Sequence, residues 1–254
     1  MIVFVHLNND FSGSPKVLRE VIAVAEEVSI PYKLYVSNSS DYGFLSNCAR
    51  NASLFWYKRI EKKRLLTFLL LCISQMHLLI KLLLDKEITS NSVVYVNTLL
   101  PFGANLYALL TGRKLICHIH EVSLTPYLFY RSLVTLNRYS SDLNIFVSEE
   151  HYNIAGVRRA DSTIVPNSVD THFLSNGRTH SYAHKVDGEF VILMICGAAR
   201  YKGIPEFFEM ARETGALNFN ISFKLVINCS PDEIQLHTPN NRIPPNVTVC
   251  SVTD

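Results

Sequence analysis

The chain has 254 residues, 48% of them apolar and 18% charged. This excludes a disordered polymer, since such chains are too polar to offset their conformational entropy. The length suits one large domain, or one domain and part of another. Its 24 basic and 22 acidic residues leave a formal charge of +2, with 17 basic and 14 acidic up to Asp170 and 7 and 8 beyond it. Neither part has the basic excess on which nucleic-acid affinity rests. Six cysteines lie far apart with no CxxC pair, a pattern of reduced core thiols better than of a disulfide framework or zinc site. Cys117 and Cys196 fall inside apolar runs that read as buried strands. MIVFVHL at the start lacks the positive region and cleavage site of a signal peptide, so the N-x-S/T triplets at Asn51, Asn220 and Asn246 carry no implication of glycosylation.

The predicted elements alternate. IVFVHL (2–7) is a strand, NNDFSGS a turn, and residues from about Pro15 to Val28 a helix, with Pro15 in the first turn where its missing N–H has no intrahelical partner. KLYVSN (33–38) is a second strand. Residues Leu65–Leu84 form a long Leu-rich helix preceded by KRIEKKR (58–64), five basic residues and one acid. Gln75, His77 and Lys81 interrupt the apolar run, which a spanning helix needs for about 20 residues. Its readings are a Leu face buried against a sheet, a helix whose basic end meets anionic headgroups, or a true transmembrane span. SVVYVN (92–97), a helix over about 101–111, KLICHIH (114–120), LNIFVS (143–148) and STIVPN (162–167) complete this part. Strands apolar on both faces and alternating with helices predict a parallel sheet covered on each side. The polar stretch 175–189 reads as a linker. After it come FVILMIC (190–196), a helix over about 204–214, FKLVIN (223–228) and NVTVC (246–250). The expected organisation is therefore 1–174, a linker 175–189, and a second, incomplete parallel-sheet domain over 190–254, since domains cluster near 100–150 residues.

Ligands of open parallel sheets gather at the carboxyl ends of the strands, and four segments fall there. Gly13 and Ser14 precede a helix whose free N–H groups and dipole favour a phosphate; the loop is not GxGxxG, so a nicotinamide site is not supported. KLICHIHE leaves His118, His120 and Glu121 at a strand end, without the third and fourth ligands a metal needs nearby. IVPNSVD carries Asn167 in a turn. CGAARYKGI sets Arg200 and Lys202 between a strand and a helix, where a fork of donors and a point charge suit a diphosphate.

In order and spacing, FSGSPKVL, VVYVNTLLPFGANLYALLTGRKLICHIHE, IFVSEE, IVPNSVD and CGAARYKGI resemble the retaining glycosyltransferases of family 4, with NTLLPFGA and HIHE similar to bacterial enzymes that build O-antigen, capsule or other surface polysaccharide. The resemblance implies an α/β GT-B fold of two Rossmann-like domains, the second incomplete here. It also implies a nucleotide-sugar donor and transfer with retention, without a catalytic metal or cofactor. His120 matches the histidine beside the donor sugar, and Lys202 the lysine on the donor diphosphate. The family's arginine follows the glycine directly, where this chain has Ala198, and Arg200 reaches the phosphates from two residues later. Gly13 and Ser14 match a Gly-Gly pair, and Asn167 joins the donor-binding set. The family's pair of glutamates in the second domain falls beyond VTVCSVTD. The expected partners are the donor and a lipid-linked glycan acceptor, with peripheral contact through 58–84 at the inner face of the bacterial cytoplasmic membrane and no nucleic acid. The rival readings are a non-catalytic remnant that binds a partner transferase or membrane, and a sugar epimerase of the same architecture.

Overall fold

The computed structural model describes residues 1–39, 42–60, 62–155, 161–169, 171–179, 190–198, 202–217, 220–229, 234 and 242–251. The chain divides into two compact units, Met1–Leu174 and Ser175–Asp254.

The first unit is built on a seven-stranded sheet. Its strands are β1 (Ile2–Val5), β2 (Tyr32–Ser37), β3 (Ala52–Phe55), β4 (Val93–Asn97), β5 (Leu115–Ile119), β6 (Leu143–Phe146) and β7 (Asp161–Ile164). Their order is β3-β2-β1-β4-β5-β6-β7, and every pair is parallel. The helices are α1 (Gly13–Glu27), α2 (Arg64–Leu84), α3 (Phe102–Thr111), α4 (Tyr127–Ser140), α5 (Glu149–Ala155) and α6 (Thr171–Thr179). Alternate residues of β1 feed two separate cores. Val3 and Val5 pack with Leu71, Leu78 and Leu82 of α2, Tyr107 of α3 and Leu133 of α4. Phe4 packs with Leu18 and Ile22 of α1. Helices thus cover both faces, and the β-branched runs are apolar throughout because neither side meets water. Strand order reverses between β1 and β4, which makes their carboxyl ends the switch point where a crevice opens.

Several elements depart from the sequence reading. The first helix begins at Gly13, because Ser12 is the extended N-cap at φ −85 and ψ 175; Gly13 and Ser14 are therefore its first turn. Edge strand β3 was hidden in ASLFWY, and α4 and α5 were not foreseen. Helix α6 runs to Thr179, into the polar stretch that begins at Ser175, and residues 180–189 lie outside the described residues. The long helix does bury a Leu face, with Leu71, Leu78, Leu79 and Leu82 inside. Gly103 sets the closeness of α2 and α3: a Cβ there would stand 2.4 Å from the Gln75 carbonyl oxygen.

The second unit holds β8 (Phe190–Cys196), α7 (Ile204–Ala216), β9 (Ile221–Ile227) and β10 (Val247–Ser251). Its strands are parallel in the order β10-β9-β8. Phe207 and Phe208 of α7 pack on Phe223 and Leu225 of β9. Cys196 is half-buried where the sequence reading buried it, because β8 has α7 on one face and exposes Leu193 and Ile195. Cys117 is fully buried, and all six cysteines are free thiols.

Candidate active site at the carboxyl ends of the strands

Asn97, the last residue of β4, joins three segments at the switch point. Its side-chain Nδ2 donates to the carbonyl of Ser14 at 3.0 Å. That fixes the amide so that Oδ1 faces His120, whose Nε2 lies 3.0 Å away. An amide oxygen only accepts, so His120 carries its proton on Nε2, leaving Nδ1 as an acceptor. The carbonyl oxygen of Asn97 accepts from His6 Nδ1 at 3.0 Å. The loop after β1, the first turn of α1 and the end of β5 are thereby locked to one fully buried residue.

Around this hub the histidines cluster. His118 near the end of β5 and His120 just beyond it lie with ring centroids 4.3 Å apart, tilted by 37°. His118 Nδ1 is 2.8 Å from the Tyr95 hydroxyl, while its Nε2 is buried without a partner. His151 of α5 donates from Nε2 to the His120 carbonyl at 3.2 Å, and its Nδ1 pairs with Ser148 Oγ at 2.7 Å. Burial pushes the His118 pKa down to about 4. Burial, reinforced by His118, His6 and His151, pushes His120 down to about 3. His6 is lowered by burial too. These rings are neutral at physiological pH.

Glu121 closes the same turn from the other side. Both of its carboxylate oxygens accept from Leu99 N–H at 3.1 Å, and Oε2 also accepts from His120 N–H at 3.3 Å. Burial pushes its pKa up to about 7 against these hydrogen bonds. The turn it holds includes Thr98 at φ 79, a left-handed conformation unfavourable for a β-branched residue.

A cleft of about 580 Å³ opens at the ends of β1, β2 and β3. Asn9, Asp10, Asn38, Trp56, Lys58 and Arg59 line it. Asn9 is held from behind, accepting from Leu45 N–H and donating to Ser46 Oγ. The far wall is strapped to α2, for Leu54 O accepts from Lys81 Nζ, His77 Nδ1 from Trp56 N–H, and Thr67 Oγ1 exchanges two bonds with Ile60. Segment 54–60 therefore runs back along α2.

The sequence-predicted residues fall into three groups. His120, Gly13 and Ser14 are brought together through Asn97. The side chain of N-cap Ser12 makes no capping bond and no acid lies in the first turn of α1; Asp10 Oδ1 accepts from Ser12 N–H at 2.9 Å, and nothing stands within 4 Å of where a Gly13 Cβ would lie. Asn167 is exposed; its neighbour Ser168 donates to Glu20 of α1 at 3.0 Å, so the loop after β7 lies along α1 without joining the hub. Lys202 belongs to the second unit, exposed just before α7, whose N-cap Gly203 has φ 85. Arg200 lies outside the described residues. Among the described residues, no group of His, Cys, Asp and Glu could hold a metal ion.

Sequence reasoning missed Asn97, His6, Trp56 and the cleft. Asn97 ends a buried strand on the switch-point side, and that position was its one available signal.

No protein-family model matches the sequence, and no curated protein matches it. Solved structures do. An Anabaena HepE structure in complex with UDP and glucose is 15% identical, with a TM-score of 0.60 over 98% of this chain and 68% of that one. An E. coli trehalose-6-phosphate structure bound with UDP-2-fluoro glucose is 11% identical, with a TM-score of 0.65 over 100% of this chain and 74% of that one. A trehalose-6-phosphate synthase studied for glycosyltransfer with retention is 12% identical, with a TM-score of 0.60 over 93% of this chain and 66% of that one. The chain has the GT-B fold. At these identities the likeness is one of fold.

Proposed function

We propose that the protein is a nucleotide-sugar glycosyltransferase of the retaining family 4 type. It moves a hexose without a metal to a lipid-linked glycan of O-antigen or capsule type, at the inner face of the bacterial cytoplasmic membrane. The observation that carries this reading is the convergence of His120 and the uncapped start of α1 on Asn97 at the switch point of a GT-B sheet. The UDP and UDP-sugar in similarly folded structures support it.

In this reading the residues divide the work. His120, held neutral with its proton turned to Asn97, offers Nδ1 to a donor-sugar hydroxyl. Gly13 and Ser14 bring N–H dipoles to the diphosphate. Lys202 and Arg200 of the second unit neutralise charge that grows on the diphosphate as the bond to the sugar breaks, and Asn167 belongs to the same donor-binding set. Such groups act more strongly in the transition state than on the ground-state donor. The acceptor takes the cleft, where Trp56 supplies an aromatic face for a sugar ring and Lys58 and Arg59 supply charge for a phosphate.

Calorimetric titration with UDP tests the donor half of this account. The wild-type chain is expected to bind, and Lys202→Ala to bind more weakly and turn over about one to three orders of magnitude more slowly. Equal turnover in that variant removes Lys202 from the mechanism, and no binding of UDP or any other nucleotide diphosphate overturns the donor assignment.

A further inference from the structure

Helix α2 is apolar on two sides, and only one of them is covered. Leu71, Leu78, Leu79 and Leu82 face the core. Outward point Leu65, Leu69, Ile73, Met76, Ile80 and Leu84, which are 75%, 50%, 57%, 50%, 50% and 74% exposed. Their spacing of three or four residues makes one continuous stripe, about 28 Å long at 1.5 Å per residue. The polar residues that interrupt the sequence do not interrupt this stripe. Gln75 accepts from Gly103 N–H, and His77 and Lys81 bind the strap over 54–56. A stripe this long is uncommon on the surface of a soluble chain.

Charge identifies the occupant. Lys62, Lys63 and Arg64 stand exposed at the start of the helix, and Lys58 and Arg59 are exposed on the segment strapped along its flank. None of the five pairs with an acid among the described residues. An apolar stripe edged by exposed cations fits a bilayer surface carrying anionic headgroups. By length and composition the helix is also able to span a membrane, but a third of its apolar window is buried inside the protein. Its inner face is held to α3 through Gln75 and Gly103.

We infer that α2 is an in-plane docking surface for an anionic membrane, with Leu65, Leu69, Ile73, Met76, Ile80 and Leu84 seated in the acyl boundary and Lys58, Arg59, Lys62, Lys63 and Arg64 among the headgroups. This deepens the location given in the proposed function, and it brings the strapped wall of the cleft to headgroup level. Docking needs neither donor nor acceptor, so a failed vesicle assay and a failed transfer assay are separate results.

The test is co-sedimentation of the full chain with vesicles of phosphatidylcholine alone or of phosphatidylcholine mixed with phosphatidylglycerol, whose anionic headgroups give the surface a negative potential. The chain is expected to sediment with the anionic vesicles and to be released from them by high salt. Ile73→Glu with Ile80→Glu should abolish binding. Lys62→Ser with Lys63→Ser should weaken it by about tenfold or more. Both exchange exposed side chains, and unchanged circular dichroism confirms that each variant is folded. No sedimentation with anionic vesicles, or binding that survives the two glutamates, overturns the inference. So does a dimer in lipid-free solution that the two glutamates dissociate, which would make a second copy the occupant.

Discussion

The carboxyl ends of β1, β4 and β5 and the outer face of α2 invert the usual distribution of residues in opposite ways. At the strand ends, polar groups are buried: Asn97, His6 and His118 have almost no surface. On α2, large aliphatic side chains are out in solvent. The strand-end inversion is compensated inside the molecule, since Asn97 satisfies Ser14, His6 and His120 at once. The α2 inversion has no compensating partner among the described residues. A buried polar network that is satisfied rigidifies what it joins, whereas an uncovered apolar stripe marks a surface that works against something else. One region is built to hold a geometry and the other to dock.

Substitutions sharpen that contrast, the largest effect first. Asn97→Leu keeps the branched shape and removes every hydrogen bond made by the Asn97 side chain. His120 Nε2 is left unpaired at about 1–3 kcal/mol and the larger side chain adds overpacking, so urea unfolding should show a loss of roughly 3 kcal/mol together with the loss of transfer activity. Gly103→Ala forces a Cβ against the Gln75 carbonyl and should cost about 1–3 kcal/mol as overpacking, read from the same unfolding curves. Ile80→Ser, on the open stripe, should change stability by less than about 0.5 kcal/mol while weakening vesicle binding. A large stability loss from Ile80→Ser would mean the stripe is core, and the contrast would fail.

The pH profile tests the hub separately. His118 and His120 titrate in the folded protein near 4 and 3, below their ordinary 6.5, and His6 is lowered as well. Their contribution is present above about pH 6.5 and is lost as pH falls toward those values, because the unfolded chain then binds more protons. Glu121 acts in the opposite sense. Its folded pKa of about 7 lies above the ordinary 4.5, so its contribution is present below 4.5 and lost as pH rises through 7. Between pH 4.5 and 6.5 three histidines oppose one carboxyl, so the melting temperature should rise with pH across that window and level off near 7. In Glu121→Gln the rise should steepen.

The sheet was largely legible from sequence because strands buried on both faces must be apolar at every residue. IVFV and VVYV are such runs, and LICHI departs from the rule only at His118. Edge strand β3 was not, since only Phe55 of ASLF is fully buried, Leu54 is exposed, and its apolar signal merges with the aromatic strap that follows. Of the site, His120 and the α1 start were readable because they end or begin recognisable elements. Their coupling was not, because Asn97 acts from 83 residues away from Ser14 and 23 from His120, and no local pattern marks an asparagine whose partners are brought by topology. The outward stripe of α2 was obscured for a different reason. Linear hydropathy counts Gln75, His77 and Lys81 as interruptions, and only the fold shows that all three turn away from the stripe.

The central claim is sugar transfer, and its most direct measurement is a balance. The full chain would be incubated with a panel of radiolabelled nucleotide sugars and a bacterial membrane lipid extract, following released nucleoside diphosphate and label in the lipid phase. The account predicts that one sugar appears in lipid in step with the diphosphate released, and that His120→Ala and Lys202→Ala both suppress it. Free sugar with no labelled lipid, or no reaction with any donor, would contradict it.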